Sequence, residues 1–216
     1  VTPEVKFCGI TRAEDAIAGA EAGARYLGLV FTRSPRQLSP EAAQALVRDA
    51  GEVGAAWVGV FRDADLTTVI ELIRIVPLSI VQFHEPITPE LAHIVTRQTG
   101  ARVWSVGKVE GSRVESVSRD LVGTVDVVLF DASQGGHSGG LGVAFDWQGA
   151  RTAIDSWRGR TRIGVAGGLS ADNVGGAIRS LEPDVVDVSS GVERAPGIKD
   201  PQRMQAFMAA VRQGSA

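Results

Sequence analysis

Cysteine occurs once in the 216 residues, at Cys8. A single thiol excludes an internal disulfide and fits a reducing, cytoplasmic setting. No apolar run approaches the roughly 18 residues that a membrane span requires. No basic stretch followed by an apolar one opens the chain, so secretion is not expected. Lys and Arg total 22 against 25 Asp and Glu, for a net charge of −3. The cations form no block that could track a phosphodiester backbone, so neither nucleic acid nor membrane is an expected partner. A small anionic ligand stays open, because one arginine or a helix N-terminus suffices for it. No His, Cys or acidic residues stand at a recognisable metal-ligand spacing. Neither G-x-G-x-x-G after the first strand nor a Walker lysine is present. No metal and no cofactor is expected.

What is present is ordinary in bulk and regular in order. Hydrophobic residues make up 44% and charged ones 22%, the balance of a globular protein with a buried core. The length favours one domain over residues 1–216. Short Val/Ile/Leu-rich runs alternate with helical spacing throughout, beginning with VKFCGI and TRAEDAIAGAEAGA. Continuous apolar runs fit strands covered on both faces. Ser39-Pro40-Glu41 and Thr88-Pro89-Glu90 read as helix starts, with a hydroxyl cap and proline at the first helical position. After the fifth strand, SRVESVSRDL reads as a weaker helix. After the seventh, Ser170 reads as a helix cap. Eight strand-helix units with nothing left over predict an α/β fold of one closed (β/α)8 TIM barrel. The competing open, doubly wound sheet commonly has five or six strands.

In such a barrel chemistry sits at the C-terminal ends of the strands. Those ends and the loops after them carry Cys8, Phe31 with Arg36 beyond it, Phe61, His84, Gly107, Asp131, Gly167-Gly168 and Ser189-Ser190-Gly191. VAGGLSADN and DVSSG end the last two strands, a pair of loops between which barrels often bind phosphate. Their glycines either let backbone N–H groups approach an anion or merely turn the chain. Asp131 is a catalytic acid or base, or a cap for the next segment. Cys8 is a reacting thiol or a core side chain. His84 is a proton carrier, a substrate contact or a packed ring. Asp131 roots the longest stretch without regular structure, FDASQGGHSGGLGVAFDW, whose five glycines predict mobility.

Taken together, VKFCGIT, SPRQLSP, VQFH, VLFDA, AFDW, VAGGLSADNV and VDVSSGVE…PGIKD resemble the phosphoribosylanthranilate isomerase family of tryptophan biosynthesis over nearly the whole chain. The resemblance implies an Amadori rearrangement of an aminoaldose phosphate, N-(5-phosphoribosyl)anthranilate, to the aminoketose. It implies Asp131 as general acid and Cys8 as general base. Arg36 would meet the anthranilate carboxylate, and the backbone of Gly167, Gly168, Ser190 and Gly191 the phosphate. His84, Asp187 and Ser189 join them as substrate contacts. The acid must begin protonated and the thiol ionised, so the pKa of Asp131 should be raised and that of Cys8 lowered, or the pair exchange roles during turnover. The family pattern implies a phosphosugar substrate, a monomer or homodimer, and no cofactor. Two stretches depart from it: His84-Glu85-Pro86 where His-Gly is usual, and Gly142-Val143-Ala144 before Phe145. A histidine-pathway relative would use two aspartates. Indole-glycerol-phosphate synthase would need an N-terminal extension and catalytic lysines, whereas the only lysines are Lys6, Lys108 and Lys199. A non-catalytic phosphate-binding barrel would not need Cys8 with Asp131.

Overall fold

The Val-rich runs pair side by side in a computed structural model of the chain, which describes residues 1–115, 117–134, 137–138 and 144–215. Eight of them are parallel barrel strands: β1 (Glu4–Cys8), β2 (Tyr26–Val30), β3 (Ala56–Phe61), β4 (Ile80–Phe83), β5 (Arg102–Glu110), β6 (Val127–Gln134), β7 (Arg162–Val165) and β8 (Val185–Val188). Each pairs with the next, and β8 closes the ring on β1. This is the predicted (β/α)8 barrel. Among the described residues seven α-helices cover it: α1 (Ala13–Ala22), α2 (Pro40–Ala50), α3 (Leu66–Ile75), α4 (Pro89–Thr99), α5 (Trp147–Asp155), α6 (Val174–Leu181) and α7 (Pro201–Gly214).

Local chemistry explains where the helices begin. Ser39 accepts from the Ala42 N–H, and Thr88 from the Leu91 N–H, each ahead of a proline that has no N–H to lose. The side chains of Asp65, Asp146 and Asp200 likewise accept from first-turn N–H groups of α3, α5 and α7, and only Asp200 precedes a proline.

Two expectations fail. Among the described residues no α-helix follows β5. The chain turns at Gly111, whose φ of 60° suits a two-residue hairpin loop. Arg113–Glu115 then runs back antiparallel to β5, with Glu110 opposite Arg113. A short 3-10 turn at Arg119–Leu121 follows. Val114, Val117 and Leu121 have helical spacing, but the glycine turn and a serine-rich stretch favour the hairpin. Leu121 is fully buried and seals the core where a helix would lie. The second failure is Ser170. Helix α6 starts only at Val174, after Asn173. The Asn173 side chain instead closes the preceding loop, accepting from the Ser170 N–H (2.8 Å) and donating to the Gly168 carbonyl (2.8 Å). The amide carries its donor and its acceptor on separate atoms, so one side chain ties both backbone groups. The glycine-rich segment after β6 falls mostly on 135–136 and 139–143, outside the described residues, as do Gly142 and Val143 of the second family departure.

The inside of the barrel is layered, as alternate residues point inward. Tyr26, Val58, Ile80, Trp104, Val127 and Val185 pack the lower part. The Tyr26 hydroxyl and Arg162 both donate to Glu4 Oε2 (2.6 and 2.5 Å), closing the N-terminal end. Higher up the filling turns polar. Lys6, Gln82 and Asp187 are buried there, with Lys6 Nζ 2.7 Å from Asp187 Oδ2. The larger apolar cluster lies outside the ring, between sheet and helices. Among the described residues no helix is long and apolar enough to cross a membrane.

Candidate active site

A cavity of about 420 Å³ opens at the C-terminal ends of the strands, within the range that small-molecule sites occupy. Its wall includes Cys8, Arg36, His84, Asp131, Gly167, Gly168, Asp187, Ser189 and Ser190. The chain thus gathers into one space every residue expected to act on or contact substrate except Gly191, whereas Phe31, Phe61 and Gly107 of the strand ends do not line it. Phe61 is packed outside the ring and stacks on Phe31, with ring centroids 5.3 Å apart. Among the described residues no group of three His, Cys, Asp or Glu side chains is placed to hold a metal.

Cys8 ends β1 and is partly open to the cavity. Gly9 follows because Arg36 crosses there: a Cβ at Gly9 would stand 2.3 Å from Arg36 Cδ. Burial pushes the Cys8 thiol above its ordinary pKa, although Lys6 and Lys199 pull it back. The expected net lowering is therefore absent in the free protein. Asp131, 4% exposed, is pushed up to about 7, first by burial and then by the neighbouring Asp187 carboxylate. Near neutrality a large share of it is protonated, as a proton donor requires. His84 is held down to about 3 by burial and by the charges of Arg62, Lys6 and Lys108, so its ring is neutral at pH 7.

The arginine end rests on two residues that carried no assigned role in the sequence. Arg36 Nε and Nη2 donate to the two carboxylate oxygens of Glu193, each at 2.7 Å. Lys199 Nζ, itself buried, donates to Glu193 Oε1 at 2.8 Å and also to the Cys8 carbonyl. Burial would raise the Glu193 carboxyl, but Arg36 and Lys199 outweigh it and hold it below the usual carboxylate range. Nη1 of Arg36 keeps no hydrogen bond among the described residues, on a side chain that faces the cavity. The signal for Glu193 and Lys199 lay in the VE…PGIKD stretch, but only the fold brings Arg36 to it.

The two final loops meet opposite. Gly167 and Gly168 adopt φ of 86° and 61°, a region closed to most side chains. Gly191 is set back from the cavity because it lets the loops touch: a Cβ there would lie 2.0 Å from the Leu169 carbonyl oxygen. The N–H groups of Gly167, Gly168, Ser190 and Gly191 make no hydrogen bond to another described residue. Such a set of uncommitted backbone donors suits an anion.

An acid near its pKa, a thiol with cations beside it, an oriented arginine and a backbone anion seat thus share one cavity. Residues 5–210 match the family described as N-(5'-phosphoribosyl)anthranilate (PRA) isomerase. An N-(5'-phosphoribosyl)anthranilate isomerase of Pseudomonas putida is 40% identical over 209 residues, covering 96% of this chain and 97% of its own. A crystal structure of monomers generated from the dimeric phosphoribosylanthranilate isomerase of Thermotoga maritima has a TM-score of 0.79 at 31% identity, covering 98% of this chain and 99% of that one. A phosphoribosylanthranilate isomerase in complex with reduced 1-(o-carboxyphenylamino)-1-deoxyribulose 5-phosphate has a TM-score of 0.78 at 30% identity, covering 98% and 99%. The chain belongs to the N-(5'-phosphoribosyl)anthranilate isomerase family.

Proposed function

We propose that the protein converts N-(5-phosphoribosyl)anthranilate to 1-(2-carboxyphenylamino)-1-deoxyribulose 5-phosphate in tryptophan biosynthesis, with Asp131 as general acid and Cys8 as general base. The observation that carries this is the shared cavity of Cys8 and Asp131, with Asp131 poised near neutral pH. Asp131 gives its proton to the furanose ring oxygen as the C1–O bond breaks, leaving a cationic Schiff base at C1. That cation acidifies the C2–H bond. Cys8, as thiolate, takes the C2 proton to form an enolamine, which tautomerises to the ketone. Each proton transfer contributes about 10²–10⁴-fold.

The phosphate rests on the backbone of Gly167, Gly168, Ser190 and Gly191, and Arg36 turns its Nη1 side to the anthranilate carboxylate. His84, neutral, contacts substrate as a hydrogen-bonding ring without adding charge. Asp187 and Ser189 line the sugar. Residues 1–216 act as one barrel domain, monomeric or homodimeric, in the cytoplasm, where the single thiol stays reduced. Purified protein should consume freshly made substrate, followed by loss of its fluorescence. Asp131→Asn and Cys8→Ser should each lose at least about 10²-fold in kcat while still binding product. Absence of turnover by the unaltered protein would overturn the assignment.

A further inference from the structure

The proposed acid and base need opposite protonation states, yet burial pushes both upward. Between them lies a charged pair that the reaction does not consume. Going round the barrel, Asp131 stands on β6, Asp187 on β8, and Lys6 with Cys8 on β1, where Lys6 is directly opposite Asp187 in register. Asp187 therefore sits on the Asp131 side and Lys6 on the Cys8 side.

We infer that the buried Lys6–Asp187 ion pair is a fixed dipole, positive toward the Cys8 sulfur and negative toward the Asp131 carboxyl, which sets the protonation states of the two groups apart. This deepens the proposed function and rests on its assignment of base and acid. Lys6 acts here as a positioning residue, and Asp187, which also lines the sugar, acts on the two groups through its charge.

The geometry is tight. Lys6 has no exposed surface, and its Nζ lies 2.7 Å from Asp187 Oδ2. Asp187 Oδ1 has no hydrogen-bond partner among the described residues. Cys8 faces Gly28 on β2, and a Cβ at Gly28 would stand 2.9 Å from Cys8 Sγ and 3.2 Å from Lys6 Cε. Sulfur and the lysine's last methylene thus share the small space left by one absent side chain. Electrostatics agrees with the placement. At Cys8 the Lys6 charge acts more strongly than that of Asp187; at Asp131 the order reverses. The ammonium itself stays charged: burial works against it, but Asp187 and Cys8 outweigh that.

The other charges nearby are accounted for. Arg36 and Lys199 approach Cys8 from the loops after β2 and β8, but Glu193 lies against both. His84, from β4, is neutral. Lys108 pairs with Asp131 in register across β5 and β6, and Arg62 acts on both Asp131 and His84. None of these distinguishes the thiol from the carboxyl in both directions.

The test uses the protein's only thiol. The rate of Cys8 alkylation by iodoacetamide, measured against pH, gives the thiol midpoint without substrate. Carbon-13 NMR of labelled aspartate, assigned with Asp131→Asn, gives the Asp131 midpoint. Lys6→Met should raise the thiol midpoint by about one pH unit or more, and Asp187→Asn should lower it. A residue that merely supports the fold would shift both variants the same way or neither. Lys6→Met leaves a carboxylate buried without its cation, which is destabilising, so a second variant accompanies it. The double variant Lys6→Met/Asp187→Asn removes both charges, and should raise the thiol midpoint while lowering that of Asp131. Midpoints that stay within 0.3 units of wild type, or move together, would overturn the dipole. Alkylation needs no turnover, so an inactive protein with the expected shifts would refute the proposed reaction and leave the dipole standing.

Discussion

Asp131 holds a carboxyl group where burial and a second carboxylate both oppose its ionisation. Its folded-state pKa of about 7 lies above its unfolded value, so its contribution to stability is complete below about pH 4 and is lost as pH rises through 7. The loss is on the order of 4 kcal/mol. Asp131→Asn should therefore melt several degrees above wild type near pH 8.5 and lose that advantage by about pH 4, by calorimetry. The same ionisation removes the proposed proton donor while more of the Cys8 thiol, whose pKa burial raises, becomes thiolate, so kcat/KM should rise with pH up to about 7 and level off above it. A melting advantage independent of pH would contradict the assigned shift. Arg36 illustrates a different limit at this scale. Its type and place after the second strand marked it as an anion contact, but its carboxylate partner is Glu193, 157 positions away. No local pattern announces such a pairing.

Where a helix has its own caps, its start is written locally. Ser39-Pro40 and Thr88-Pro89 each put an acceptor oxygen and a residue without an N–H where the first turn needs them. The hairpin after β5 departs from the expected helix because its apolar residues satisfy a helical period by coincidence, and the deciding feature is one glycine at φ 60°. The strand-seven loop departs from the expected Ser170 cap because two residues compete to organise it. Asn173 wins by tying both Ser170 and Gly168. Asn173→Ala should cost about 1–2 kcal/mol in urea denaturation. It should also raise several-fold the concentration of inorganic phosphate needed to inhibit turnover, with little effect on the thiol titration. Unchanged phosphate inhibition would show that this loop does not hold the anion.

The barrel as a whole separates the jobs of its two ends. The N-terminal end is closed by Glu4, Tyr26 and Arg162, three residues brought together from β1, β2 and β7. Burial would raise the Glu4 carboxyl, but Tyr26, Arg162 and Arg25 outweigh it and lower its pKa. Its stabilising effect is therefore present above the ordinary carboxylate range and lost as pH falls through the lowered value. Glu4→Gln should destabilise by roughly 1 kcal/mol at pH 7 and by nothing near pH 2.5, with kcat unchanged at pH 7. A change in kcat would mean that the two ends are coupled. The end that holds the cavity contains buried charges that a core built only for stability would replace with apolar groups. The order of strands and helices, the caps and the residue types at the strand ends follow from the sequence alone. Backbone periodicity and capping are short-range effects, and a repeated strand-helix unit has few ways to close. Which carboxylate holds Arg36, how Lys6 and Asp187 lie between thiol and acid, and how far each pKa moves were decided only by the closed barrel. Those depend on burial and on charges a few ångströms apart in space that are more than a hundred residues apart along the chain.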